Sequence, residues 1–364
     1  MGVAIVGCAI SDLEQDIEKT REELVFEVAK SALEDAGIER KDVCTVVTAS
    51  TDFLDGRTIS NCMLIGAAGA YLKDESKVEE DGLYALLYAF QRVMSGTHKI
   101  ALVVAHTCSS TFSPHQVTQY MLEPWFDRQN DLLNGITLAA LQARMYMEKC
   151  GVRENHIAEV SVKNLRNAAK VSHTLRKIPD ISIEDVLESE MYSEPLTELM
   201  IAPPCDGAAA VVIVSEEVAE GINNDFIWIK GIGNACDNYH RDRDLTRLSA
   251  LENAAKTAYK MAGIEEPFRE IDVAEITERF AHQELMIYEA LGFCRKGKGK
   301  VLIEEGMTEV YGDIPVNPSG GTLAGDPICA TGLIRLVEAV KQIRGTAENK
   351  VENCRTALVH THHR

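Results

Sequence analysis

The chain has 364 residues, 46% hydrophobic and 26% charged, and its 37 Lys+Arg against 56 Asp+Glu leave a formal net charge of -19. That length suffices for two domains of roughly 100–200 residues, or one large α/β unit with an insertion, and the ordinary globular composition excludes a disordered or low-complexity chain. The acidic balance argues against nucleic acid and an anionic membrane surface as partners, no run approaches the roughly 20 apolar residues of a membrane span, and ten cysteines without a CxxC pair read as reduced thiols, with no metal expected.

The first element is a strand at Val3-Ala4-Ile5-Val6, with no signal-peptide pattern before it, so the cytoplasm is the expected compartment. A helix through Ala29-Lys30-Ser31-Ala32-Leu33-Glu34-Asp35-Ala36 follows, closed by the C-cap residue Gly37 and leading through Asp42-Val43 into a strand. The next helix carries Gly82-Leu83, Leu86, Ala89 and Gly96-Thr97 and runs into the apolar strand Ile100–Ala105. Both units recur later in the chain. The first returns as Ala255-Lys256-Thr257-Ala258 through Met261-Ala262-Gly263-Ile264, leading to Asp272-Val273; the second returns as Gly332-Leu333, Leu336, Ala339 and Gly345-Thr346, leading to the strand Thr356–His360.

Two αβ halves of common ancestry are therefore expected, at 1–117 and 226–364, with mixed sheets and helices between or outside them. Residues 118–204 hold helical stretches at 138–149 and 157–169 and read as an inserted segment. After it, Cys205-Asp206-Gly207 turns into the buried strand Ala208–Val214, so that 205–218 completes the first sheet.

On these elements, Asn317-Pro318-Ser319-Gly320-Gly321 followed by Gly325-Asp326-Pro327-Ile328-Cys329-Ala330-Thr331-Gly332-Leu333 resembles the thiolase superfamily, most closely its sterol-carrier and archaeal types. Cys205-Asp206-Gly207-Ala208-Ala209, Ser95-Gly96 and Tyr288-Glu289-Ala290-Leu291-Gly292-Phe293 support the match, which covers nearly the whole chain. The resemblance implies a duplicated five-layered αβαβα fold with an inserted loop domain. It also implies a dimer or dimer of dimers, and coenzyme A bound as the acyl-CoA thioester. The family's glycine pairs let backbone approach the thioester, which makes Asn317, Ser319, Gly320, Gly321 and Gly325 the expected binding residues.

The family's nucleophilic cysteine, its activating histidine and a further catalytic histidine all have different residues here. The nucleophile position falls on Glu79, the Gly-His-Pro histidine on Asp326, and the His-Asp-Ala-Phe-like stretch reads Thr277-Glu278-Arg279-Phe280, with His282 close by. The sequence ends at Thr361-His362-His363-Arg364, where the resemblance would continue into a Gly-rich loop carrying a second cysteine. Each candidate has a sharp reading and a bland one. Glu79 is a general base in a substrate tunnel, or one of three acidic residues in a first helical turn. Asp326 is a base facing the reacting carbon, or a turn residue before Pro327. His282 shuttles a proton, or is a satisfied core histidine. Cys329, opposite Glu79 in the repeat, is a relocated nucleophile or a small buried hydrophobe. Glu278 and Arg279 read as a local ion pair, Arg241 or Arg243 as a weakly signalled phosphate clamp, and His360, His362 and His363 as a metal tract or a frayed terminus.

Without a thiolate, acyl transfer through a covalent intermediate is disfavoured. The expected activity is carbon–carbon bond chemistry on an acyl-CoA, of which retro-aldol cleavage is the most economical form. Thiolase-like aldolases that resemble this plan work with a small OB-fold and zinc-ribbon partner, which is therefore expected here too. The alternatives are a catalytically silent subunit of a heteromeric thiolase complex, and an acyl-CoA thiolase whose nucleophile is Cys329.

Overall fold

The computed structural model describes residues 2–111, 119–120, 122–129, 134–222, 225–239 and 242–362. Its first sheet has six strands in the order β3-β2-β4-β7-β1-β8: β1 (Val3–Ile10), β2 (Thr45–Ser50), β3 (Asp74–Glu79), β4 (Ile100–Thr107), β7 (Gly207–Ser215) and β8 (Ile227–Trp228). β2 runs parallel to β3 and β4, whereas β7 is antiparallel to both β4 and β1. The sheet is mixed, as expected. Two short strands, β5 (Met191–Ser193) and β6 (Leu196–Thr197), pair separately within the intervening segment.

Alternation along β1 shows why a sheet in this position is buried on both faces. Val3 and Ile5 pack with one apolar cluster, and Ala4 and Val6 with another on the opposite side. The second of these clusters is covered by helix α1 (Arg21–Ala36), which buries Leu24, Val25, Val28, Ala29 and Ala32. Thr20 and Glu23 close its start as a reciprocal capping box, and Gly37 ends it at φ 65°. The first cluster is covered by α2 (Gly82–Met94), together with a helix from the far end of the chain.

Helices α3 (Gly135–Cys150) and α4 (Glu154–Ala168) come from the intervening segment and pack on the later half of the chain. That half repeats the first. Helix α5 (Ser249–Ala262), closed by Gly263 at φ 76°, leads to β9 (Val273–Ile276), and α6 (Ala281–Ala290) follows. Then α7 (Thr331–Arg344), closed by Gly345 at φ 68°, leads to β10 (Ala357–His360), which is parallel to β9 as β4 is to β2. A parallel bridge from Ala274 to Val316 stands where β3 stands in the first sheet. The layers run α1, first sheet, α2 with α7, second sheet, then α4 with α6, which is the αβαβα order.

The second sheet is smaller than the repeat suggests. Among the described residues it is a parallel pair, not a mixed sheet, because β8 joins the edge of β1 in the first sheet. No described strand continues it beyond β10. A cleft opens on that side.

Candidate active site

The cleft has a volume of about 1750 Å³. Leu336, Val340 and Ile343 of α7 and Leu358 of β10 give it an apolar wall, and Tyr84, Arg279, Asp326, His360 and His362 also line it. The positions of these polar groups follow from how the two repeat helices begin.

Helices α2 and α7 meet at their N-termini. Gly82 donates its N–H to the carbonyl oxygen of Cys329 at 2.8 Å. Asp81 is the N-cap of α2, accepting from the N–H of Leu83 at 2.9 Å, and its other carboxylate oxygen accepts from the N–H of Gly332 in α7 at 2.9 Å. A side chain at Gly332 would collide with that carboxylate, and one at Gly82 would press on Leu333, so both positions need glycine for close approach. Burial pushes the Asp81 carboxyl up to about 6, against the two backbone N–H groups that favour its charged form.

Asp326 sits just before α7 in an extended bridge with Pro204. Its carboxylate accepts from Arg279 Nε at 3.0 Å and from the Thr331 hydroxyl at 2.8 Å. Arg279 also donates to the carbonyl oxygens of His362 at 2.9 Å and Ile328 at 3.4 Å, so one guanidinium gathers three segments. Both members of the pair are nearly buried. Tyr84, one turn into α2, has its phenol held protonated by burial and the Asp81 carboxylate beside it.

The sequence candidates divide sharply. Asp326 is on the cleft wall. Glu79 is not at a helix start but is the last residue of the edge strand β3, half in water, accepting from the Thr51 hydroxyl at 2.6 Å and the Asp52 N–H at 3.0 Å and pairing with Lys77. His282 is fully buried behind the wall, with Nε2 3.1 Å from Gln142 Oε1, and burial drives its pKa down to about 3. Cys329 is 2% exposed, packs with Leu54 and Ile328 away from the cleft, and receives the Thr107 hydroxyl oxygen on its backbone N–H at 2.9 Å. The structure therefore does not gather Glu79, His282 and Asp326 at one point.

The five residues expected at coenzyme A lie in the core, off the cleft wall. Asn317, at φ 52°, donates to Glu278 at 2.6 Å and Glu284 at 3.1 Å, and its side-chain oxygen accepts the Ile276 N–H. Ser319 donates to Glu275, which also pairs with Arg335 at 3.1 Å. Gly320 lies against Ala168 of α4, Gly321 against Glu278, and Gly325 between Leu13 and Cys205. These contacts make the segment a brace between β9, α4 and α7. Its polar side chains are engaged internally, Asn317 with Glu278 and Glu284 and Ser319 with Glu275.

Sequence reasoning passed over Tyr84, Asp81, Arg279 and the histidine pair as site residues. Glu278 and Arg279 are not paired with each other: past the end of β9, Glu278 enters the core network while Arg279 reaches the cleft and pairs with Asp326. Signal for this was present in the stretch Thr277-Glu278-Arg279-Phe280. His360 and His362 are not frayed: His360 belongs to β10 and its ring stacks on that of His362 at 5.3 Å; among the described residues no group of three metal-ligating side chains occurs. His363 and Arg241 lie outside the described residues, and Arg243 lines the cleft.

Comparison with known proteins accords with this architecture. Residues 231–363 match the thiolase C-terminal domain-like family. The chain is 31% identical to the acetyl-CoA acetyltransferase of Methanothermobacter thermautotrophicus over 98% of its own length and 95% of that protein. It is 26% identical to the 17-hydroxy-3-oxo-4-pregnene-20-carboxyl-CoA lyase of Mycobacterium tuberculosis, over 98% and 95% of the two chains. Among solved structures, the Ltp2-ChsH2(DUF35) aldolase superposes with a TM-score of 0.85 at 24% identity, covering 98% of this chain and 93% of that one. An acetyl-CoA acetyltransferase from Syntrophomonas wolfei gives 0.71 at 19%, covering 94% and 93%; both likenesses establish the fold. No described helix is long and apolar enough to cross a membrane. Identity of this extent, over nearly the full length of both chains, places the protein in the thiolase superfamily, a family of enzymes acting on acyl-coenzyme A thioesters.

Proposed function

We propose that the protein cleaves or forms a carbon–carbon bond in an acyl-CoA thioester by retro-aldol chemistry, without an acyl-enzyme. The observation that carries this reading is the Arg279–Asp326 pair on the cleft wall, combined with the burial of Cys329 away from it. A thiolate at either helix start would favour acyl transfer; a carboxylate paired with a guanidinium favours acid–base work instead.

In the cleavage direction Asp326 takes the proton from a β-hydroxyl group. The hydroxyl oxygen forms a carbonyl as the Cα–Cβ bond breaks, and the released electron pair becomes the thioester enolate. Protonation at Cα completes the shortened acyl-CoA, so the step needs no oxidant or reductant. Arg279 holds the Asp326 carboxylate in place and puts positive charge beside the enolate. Arg176, Lys230 and Arg243, which also line the cleft, supply charge for the phosphates of coenzyme A.

The relatives support the reaction class without selecting the acyl group. A lyase and acetyltransferases stand among them. The Ltp2-ChsH2(DUF35) aldolase, which shares this fold, joins an aldolase to a DUF35 protein, in keeping with the expectation of a small protein partner. A homodimer or dimer of dimers fits the open edge of β3, where the segment leading into it exposes Ile59, Met63, Tyr71 and Leu72.

The test is to incubate the purified chain with β-hydroxyacyl-CoA thioesters, following carbonyl product and shortened acyl-CoA by mass spectrometry. Acetoacetyl-CoA with free coenzyme A serves as the thiolysis control. Carbonyl release without thiolysis supports the reading. Thiolysis alone restores the relocated-nucleophile alternative, and silence in both assays, with and without a co-purified partner, favours the silent subunit.

A further inference from the structure

We infer that His360 presents a neutral imidazole N–H to the carbonyl oxygen of the thioester held in the cleft, acting as the donor that stabilises the enolate. The inference deepens the proposed function and rests on its placing an acyl-CoA thioester in this cleft.

The position is set by the backbone. β10 pairs in register with β9 so that His360 stands beside Ile276, and the carbonyl oxygen of His360 accepts the Thr277 N–H at 3.1 Å. His360 is 5% exposed, lines the cleft, and neither ring nitrogen has a hydrogen-bond partner among the described residues. Buried polar groups are normally satisfied, and one aimed into a cavity without a partner marks the place where a ligand atom belongs. A neutral imidazole carries one N–H donor and one acceptor nitrogen, so an acceptor for the N–H is among the groups a ligand would bring.

The surroundings hold the ring neutral. His362 stacks on it at 5.3 Å, and Arg279 is fixed next to the pair by its bond to the His362 carbonyl oxygen. Burial and the Arg279 charge lower the His360 pKa to about 3, and His362 is lowered further by burial, His360, Arg279 and Arg243. Asp326 and Asp81 are the acidic groups beside this cluster: Asp326 pairs with Arg279, and Asp81 is engaged by the N–H groups of Leu83 and Gly332 and by Thr361. A neutral imidazole cannot give up a proton as an imidazolium does, but it can donate a hydrogen bond to a developing oxyanion without repelling the neighbouring guanidinium. The N–H groups of Leu83 in α2 and Gly332 in α7 are not available for that task, because Asp81 accepts from both.

The role is tested with [1-13C]acetyl-CoA bound to the wild type, H360Q and H360L, read by 13C NMR. A donor on the carbonyl oxygen moves the bound carbonyl resonance downfield of the free ligand. The expected result is a downfield shift in the wild type, largely kept in H360Q, which retains an N–H, and lost in H360L. With a turned-over β-hydroxyacyl-CoA, H360L loses roughly 100- to 1000-fold in kcat while KM changes by less than about threefold. An undiminished downfield shift in a folded H360L overturns the inference and leaves the proposed reaction standing. Failure of all three proteins to bind the thioester overturns both.

Discussion

Asp81 and Gly332, 251 positions apart in sequence, are joined by a 2.9 Å hydrogen bond from the backbone N–H of Gly332 to the Asp81 carboxylate. The same carboxylate caps α2, so the positive ends of two helices that repeat one another share one anion. In the resembling enzymes the positions just ahead of these helices face the reacting thioester. Here Asp81 takes up one backbone N–H group from each of the two helix starts.

Asp81 gives a prediction about pH and stability. Its folded pKa of about 6 lies above the ordinary aspartate value of ~3.9, so the folded protein holds a proton that the unfolded chain gives up. Its contribution is therefore fully present below pH ~4 and declines as pH rises to about 6, by an amount on the order of 2–3 kcal/mol. Asp81→Asn should flatten that part of the profile, while Asp81→Ala should cost about 2–4 kcal/mol at low pH by removing a cap and stranding the Gly332 N–H. Urea midpoints measured from pH 4 to 7 check both; an Asp81→Asn profile that still falls as steeply would show that another group is responsible.

The Arg279–Asp326 pair should separate stability from activity. Removing one partner of a buried pair leaves a charge uncompensated and costs about 3–5 kcal/mol, whereas replacing both by apolar residues recovers much of the loss. Asp326→Asn should thus destabilise less than Arg279→Met, since the amide still accepts from Arg279, yet lower kcat/KM for β-hydroxyacyl-CoA by roughly 100-fold or more. The Arg279→Met, Asp326→Leu double variant should be closer to wild type in denaturant midpoint and inactive. Turnover surviving in Asp326→Asn within a few-fold would remove Asp326 as the base.

The repeat made most of the fold legible, because a helix with small residues on one face and a C-cap glycine writes itself clearly in sequence: Gly37 with Gly263, and Gly96 with Gly345. The pairing of β8 was not legible. Ile227–Trp228 has the composition of a strand in either sheet, and its pairing to β1 is decided by packing, not local pattern. Counting along the repeat located the two helix starts to within a few residues, but could not show that Glu79 ends a strand while Asp81 supplies the cap. Arg279 was hidden by its neighbour, since Glu278-Arg279 looks like an ion pair until the fold gives Glu278 to the N–H of Thr322 and Arg279 to Asp326.

Glu79 and Cys329 should prove dispensable for turnover. The Glu79 carboxylate is half in water and engaged by Thr51, Asp52 and Lys77, and the Cys329 side chain packs against Leu54 and Ile328. Glu79→Gln and Cys329→Ser are expected to leave kcat within about threefold, with Glu79→Gln changing stability by no more than ~1 kcal/mol, as for an exposed pair. A hundredfold loss in either, with an unchanged melting curve, would return that residue to the site.

The Asn317–Gly321 brace predicts a purely structural defect. A Cβ built on Gly320 would lie 2.5 Å from the Ala168 Cβ and 2.8 Å from its Cα, and the backbone there has φ 99°, where a side chain is strained even in open space. Neither obstacle is a flexible side-chain end, so α4 would have to shift, and α4 carries the Asn164 and Lys163 side chains that satisfy Glu278 and Glu284. Gly320→Ala should therefore cost at least ~3 kcal/mol, combining backbone strain with loosening of a buried ionic network. Because none of these atoms lines the cleft, the fraction that remains folded should bind acetyl-CoA with wild-type affinity. Calorimetric titration below the shifted melting temperature distinguishes this from direct contact, for which weakened affinity would appear in fully folded protein.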